Sequence, residues 1–152
     1  MYLKKYDLSK VNDETFLNLF ETITGKRPLT YSINKKDKSY IYIIDSDSDI
    51  ELYITNTGCF SLYDQNLDKE LEMEINQQKV GHILLETQWH DPKTEPPKVR
   101  DAVILKLSNG DIIHAKCIGI RFNKNTVYFE GASRHYDIDL VTGWLPAENV
   151  IP

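Results

Sequence analysis

Residues 91–98 read Asp-Pro-Lys-Thr-Glu-Pro-Pro-Lys, three prolines in eight positions. Proline fixes its own φ and has no N–H to donate, so this stretch cannot lie inside a helix or a central strand. It reads as an extended junction dividing the chain into residues 1–88 and residues 89–152. The expected architecture is α+β. An N-terminal helix lies on an antiparallel sheet, and a small all-β, barrel-like module follows.

Downstream of the junction, Asp101 to Leu107 and Asp111 to Ile118 are apolar-rich runs on either side of Ser108-Asn109-Gly110. Asn-Gly between such runs is a strong hairpin signal, because both residues tolerate the positive φ of a tight turn. Phe122 to Glu130 and His135 to Trp144 supply two further strands.

Upstream, Phe16, Leu17, Leu19, Phe20 and Ile23 recur at helical spacing. Asn12 or Asp13 suits the N-cap, Asp13 and Glu14 suit the first turn, and Gly25 and Pro28 end the helix. A meander of strands comes next. Thr30 to Ile33, Ser39 to Ile44, Ile50 to Thr55 and Cys59 to Tyr63 are separated by polar turns at 34–38, 45–49 and 56–58. Ser39 to Ile44 is apolar on both faces, as a central strand is. In Lys69 to Ile75, Leu71, Met73 and Ile75 alternate with Glu70, Glu72 and Glu74, which favours a strand. Gln77 to Gln88 reads as a helix burying Val80, Ile83 and Leu84.

With 152 residues, 41% of them hydrophobic, the chain is long enough to bury a core without staples. Two cysteines do not make a disulfide framework, and they fit a reducing compartment. The start, MYLKKYDLSK, has no apolar run of signal-peptide length. The longest apolar stretch, Tyr40 to Ile44, is far short of the roughly 18 residues that span a bilayer. The expected setting is cytoplasmic, with no membrane partner.

Charge is unevenly spread. Residues 1–88 carry net −5 and residues 89–152 carry net 0. Nine acids fall between Asp45 and Glu74, against the single base Lys69. Such a surface repels nucleic acid and attracts basic partners. The scattered Lys35, Lys36, Lys38, Arg121 and Lys124 make no nucleic-acid stripe.

A pattern runs through residues 89–152. It comprises Trp89, Pro92, Pro96-Pro97, the strand Ala102-Val103-Ile104-Leu105, the turn Asn109-Gly110, Ile112 to Ala115, and Trp144-Leu145-Pro146. In this it resembles a family of small phage and prophage proteins of unknown function. The resemblance covers about 40% of the chain. It implies a bacterial-virus or mobile-element origin and supplies no catalytic residue. The chain departs from the family pattern in its Arg121 to Arg134 segment and in the 88 residues that precede the match.

Four groups of residues invite chemistry. Asp45-Ser46-Asp47-Ser48-Asp49 opens like a calcium loop, but its sixth position is Ile50 and its twelfth Asn56, so the required glycine and bidentate glutamate are missing. His114 and Cys117 are three apart, which on a strand sends them to opposite faces and excludes a shared metal. His135, Asp137 and Asp139 alternate along an expected strand, where a histidine beside carboxylates can act as a general base or weak metal site. His90 and Asp91, next to Trp89, stand as possible additions to that group. Tyr40, Tyr42, Tyr53 and Tyr63, with Tyr31 nearby, offer area and hydroxyls of the kind enriched at binding hot spots. No Walker loop, dinucleotide fingerprint, G-x-S-x-G or deaminase signature is present, and no cofactor is expected.

The leading expectation is a non-enzymatic, anti-CRISPR-like inhibitor. It would bind a bacterial defence nuclease or effector complex and occlude its basic, nucleic-acid-binding surface. Asp45, Asp47, Asp49, Glu51, Glu70, Glu72 and Glu74 would meet the basic surface, and Tyr40, Tyr42, Tyr53 and Tyr63 would pack on it. An immunity protein that neutralises a toxic nuclease uses the same binding mode. The third reading is a small hydrolase or metal-dependent enzyme working through His135, Asp137 and Asp139.

Overall fold

Helix α1 (Asp13–Thr24) begins and ends where its capping residues stand. Asn12 Oδ1 accepts the Thr15 N–H at 2.9 Å, satisfying one of the orphan donors of the first turn. Gly25 closes the helix at φ 81°, a left-handed conformation that costs glycine little, and its N–H reaches the Glu21 carbonyl at 2.7 Å. Phe16, Leu17, Leu19, Phe20 and Ile23 are all buried, as their spacing predicts.

The computed structural model describes residues 1–37, 39–71 and 77–151. They form two units, Met1–Gln88 and Trp89–Pro152.

The first unit contains β1 (Tyr2–Leu3), α1, β2 (Tyr31–Asp37), β3 (Tyr40–Asp45), β4 (Ile50–Thr55), β5 (Phe60–Asp64), β6 (Lys69–Leu71) and α2 (Gln77–Glu86). Strands β2 to β6 pair in chain order as an antiparallel meander. Its apolar face is assembled from cross-strand partners. Ile41 lies opposite Ile54, and Ile43, Leu52 and Leu62 make a continuous row, all buried. Lys35 of β2 ties this side to α1, reaching the Asp13 carboxylate at 3.3 Å and lying over the Phe16 ring at 5.7 Å. In α2, Val80, Leu84 and Leu85 are buried and Ile83 is half-buried.

Two expectations change here. The polar segment after Ile33 is not a turn, because β2 continues to Asp37 with a register shift between Asn34 and Asp37. As an edge strand, β2 has no need of apolar side chains there, and the irregular pairing absorbs the polar residues. Ser39 to Ile44 is an internal strand, but it buries only one face: Ile41 and Ile43 are buried, while Tyr40, Tyr42 and Ile44 are half-exposed. The strand expected over Lys69 to Ile75 is present for Lys69–Leu71. Residues 72–75 lie outside the described residues, and Glu72 and Glu74 with them.

The second unit contains β7 (Ala102–Leu107), β8 (Ile112–Arg121), β9 (Thr126–Glu130), β10 (His135–Asp137), β11 (Val141–Pro146) and β12 (Val150–Ile151). Five of these pair antiparallel in the order β10-β9-β8-β7-β11. Strands β10 and β11 are the sheet's two edges, so the expected barrel is not closed. The described residues of this unit hold no α-helix, and one core is built from strand side chains and the turn residue Ile138. That core is Val103, Leu105, Leu107, Cys117, Val127, Phe129, Ile138 and Val141, with Trp144 and Tyr136 packed against it.

A register shift between Val141 and Gly143 puts Val141 and Trp144, three apart, on the same core. It also brings Gly143 onto Trp89, where an added Cβ would lie 2.9 Å from the Trp89 Cβ. Two expected strands are shorter than the sequence suggests. Residues 122–125 form the turn between β8 and β9, with Asn125 at φ 52°. The run from His135 to Trp144 is broken by a 3-10 turn at Ile138–Leu140. The chain must leave one edge of the sheet and cross to the other, which a straight strand cannot do, and Ile138 plugs the core on the way.

Candidate partner-binding face

Period-two alternation in β3, β4 and β5 sends Ile41, Ile43, Leu52, Ile54 and Leu62 to the buried face and the tyrosines, with Ile44, the opposite way. On that opposite face Tyr42 pairs with Tyr53, and Glu51 lies opposite both Ile44 and Tyr63. Tyr63 also has Glu70 as its neighbour across β6. The Tyr40 ring stacks on Tyr53 with centroids 5.0 Å apart, and on Tyr42 at 6.4 Å. Asn34 Nδ2 donates to the Tyr42 hydroxyl at 2.8 Å, and the Tyr63 hydroxyl donates to the Asp68 carboxylate. All four tyrosines are half-buried. The Tyr40, Tyr42 and Tyr53 rings brace one another, Asp68 holds the Tyr63 hydroxyl, and polar and aromatic surface stays accessible.

The acidic residues gather at one end of this sheet. The β3–β4 turn and the β5–β6 turn lie side by side, because both close the same end of the meander. The Gln65 N–H donates to the Asp49 carbonyl at 3.1 Å, and Gln65 Nε2 donates to Glu51 Oε2 at 3.1 Å. Asp47, Asp68 and Glu70 are exposed, and Asp49, Glu51 and Asp64 are half-buried.

Asp45 differs from the rest. It is 3% exposed, and its carboxylate accepts the Asp47 N–H at 3.1 Å and the Ser48 hydroxyl at 2.9 Å. It holds the turn together and is not available to a partner, which corrects its expected role. Sequence reasoning counted Asp64 and Asp68 among the acids but did not place them in the site. The signal that finds them is topological, since alternate turns of a meander share an end. Tyr31 is exposed on the edge strand β2, opposite Asp45 in register.

Of His135, Asp137 and Asp139, only His135 and Asp137 share a strand. The 3-10 turn takes Asp139 off the strand that carries His135 and Asp137. Asp137 Oδ1 accepts from Arg121 Nε at 2.8 Å, and Lys124 pairs with Asp139 at 3.3 Å. The hydrogen bond from Arg121, helped by its charge, holds the Asp137 carboxyl below the usual range, away from a value suited to general-base work near neutrality. The His135 ring lies 5.7 Å from Tyr128, whose other contact is the Arg121 guanidinium at 3.9 Å. His90 stands apart from them, tilted on Trp144 at 4.7 Å and 3.3 Å from Glu95. His114 is exposed and Cys117 buried, on opposite faces as expected, and burial pushes the Cys117 thiol pKa up. Among the described residues no three His, Cys, Asp or Glu side chains are grouped to hold a metal.

No family model, curated protein or solved structure matches this chain. Among the described residues no helix is long and apolar enough to cross a membrane.

Proposed function

We propose that this chain is a non-enzymatic inhibitor of phage or mobile-element origin. Its first unit docks on the basic, nucleic-acid-binding surface of a bacterial defence nuclease, as some anti-CRISPR proteins do. The observation that supports this reading is the convergence of four tyrosines with Glu51, Glu70 and the acidic turns on one sheet face. Carboxylates there stand where the phosphates of a nucleic acid would lie. The braced tyrosines supply contact area at low entropic cost. Inhibition is by occlusion and requires no reaction. The second unit is the phage-type module, a barrel-like sheet curled over its own core.

The test uses the full chain as bait in bacterial lysate, beside a Glu51→Lys/Glu70→Lys variant. The captured protein is expected to be a nuclease or its effector complex, released by rising salt and displaced by excess oligonucleotide. The variant is expected to capture none. Equal capture by the variant, or capture indifferent to salt and oligonucleotide, overturns the proposal. A captured toxin encoded beside this chain would replace the defence-nuclease context with the immunity one.

A further inference from the structure

We propose that the second unit carries a separate binding site, a pocket beside Trp144 that takes the alkylammonium end of an amine. The pocket measures about 240 Å³ and is lined by Asp101, Ala102, Trp144, Pro146 and Glu148. It lies where the β7–β11 ladder runs out. Pro146, the last residue of β11, pairs with Val103, and Ala102 opens β7. The 3-10 turn Ala147–Asn149 carries Glu148 and packs against β7.

The walls are held in place. Trp144 Nε1 donates to the Glu95 carbonyl at 2.7 Å, and its ring rests on His90. The Trp144 backbone exchanges two hydrogen bonds with His90, each 3.0 Å. Asp101 is clamped on three sides. Its Oδ2 accepts the Lys98 N–H at 3.1 Å, its N–H reaches the Lys98 carbonyl at 3.0 Å, and its carbonyl accepts the Cys117 N–H at 3.0 Å. Among the described residues, no cation is ion-paired to Asp101 or Glu148.

This lining defines the ligand class. Two carboxylates beside an indole favour a cation. Two carboxylates fall short of the six or more oxygens that calcium takes, and proline, alanine and indole supply hydrocarbon wall instead. The ligand is therefore an organic cation with an aliphatic body. The volume is below the roughly 300–1,000 Å³ of pockets for drug-sized ligands, so it suits a group the size of one side chain. A free amine and a lysine side chain present the same chemistry.

The test is a titration of the full chain followed by ¹⁵N NMR, which resolves this pocket from the acidic face of the first unit. The probes are n-butylammonium for a free amine, N-acetyl-lysinamide for a peptide-borne one, and n-butanol as neutral control. Saturable shifts are expected at the Trp144 indole N–H and at the Asp101, Ala102 and Glu148 amides. Butanol should produce none. Asp101→Asn/Glu148→Gln, both at exposed positions, should weaken binding at least roughly fivefold. The tighter of the two cations identifies the source. The proposal is overturned by unsaturable shifts, by equal shifts with butanol, by shifts confined to residues 45–70, or by binding unchanged in the variant.

Discussion

The five-stranded sheets of the two units dispose of their faces differently. In the first, helices supply the apolar layer, so Ile41, Ile43, Leu52, Ile54 and Leu62 are buried against them and the tyrosine face is left to solvent. In the second, no α-helix is present among the described residues; Leu105, Phe129 and Ile138 belong to a core on one face of the sheet, and Ile104 and Leu145, partners in register, are buried on the other. A sheet backed by helices can devote its other face to recognition. The sheet without an α-helix uses register shifts and a crossing turn for packing, and polar residues toward its β10 edge form ion pairs such as Arg121–Asp137. The same alternation of side chains thus leaves an aromatic face half-exposed in one unit and buries apolar side chains on both faces of the sheet in the other.

The largest expected effect lies in the core of the second unit. Phe129 is fully buried, and Phe129→Ala should destabilise the second unit by about 3–5 kcal/mol, measured by denaturant unfolding. A cost below about 1 kcal/mol would mean this unit does not depend on its own core.

Gly143→Ala sharpens the same point, because its Cβ would meet the Trp89 Cβ at 2.9 Å with little room to yield. The expected loss is about 1–3 kcal/mol, with a shifted Trp89 indole resonance as a second reading. A neutral result would show that the β11 register shift is loosely packed.

On the open face the effect on folding is smaller. Tyr53→Ala removes one stacked contact with Tyr40 and part of a half-buried ring, costing about 1–2 kcal/mol. Partner capture should fall far more than stability does. Parallel losses in both would make the tyrosines structural.

The smallest effect is electrostatic. Arg121→Met should let the Asp137 pKa rise toward its ordinary 3.8, followed by carboxyl ¹³C NMR. In the wild type the folded value is depressed. The stability this contributes is present above the unfolded value and is lost as pH falls through the lower folded one. The stability difference between wild type and variant should therefore vanish in acid. A difference that persists there would assign Arg121's role to its contact with Tyr128.

Much of this fold is legible from local signals. Asn12 and Gly25 bracket α1, Asn109-Gly110 marks the β7–β8 turn, and alternation in Ile50–Thr55 identifies Leu52 and Ile54 as buried. What local signals miss depends on where an element sits in its sheet. Residues 34–37 read as a turn because they are polar, yet an edge strand tolerates that polarity. His135 to Trp144 alternates well enough for one strand, but β10 and β11 occupy opposite edges, and Ile138 must fill the core between them. That crossing also takes Asp139 off the strand that carries His135 and Asp137. The tyrosine face was readable because alternation alone sets it. The role of Asp45 was not, since a buried carboxylate bracing its own turn has the same sequence as an exposed one.

Hydrogen-exchange footprinting of the full chain, alone and bound to its captured partner, tests the central claim most directly. Protection should appear in Tyr40–Asp45, Ile50–Thr55 and the turns at 46–49 and 65–68, and should weaken as salt rises. Protection confined to residues 89–151, with the tyrosine strands unchanged, would contradict it.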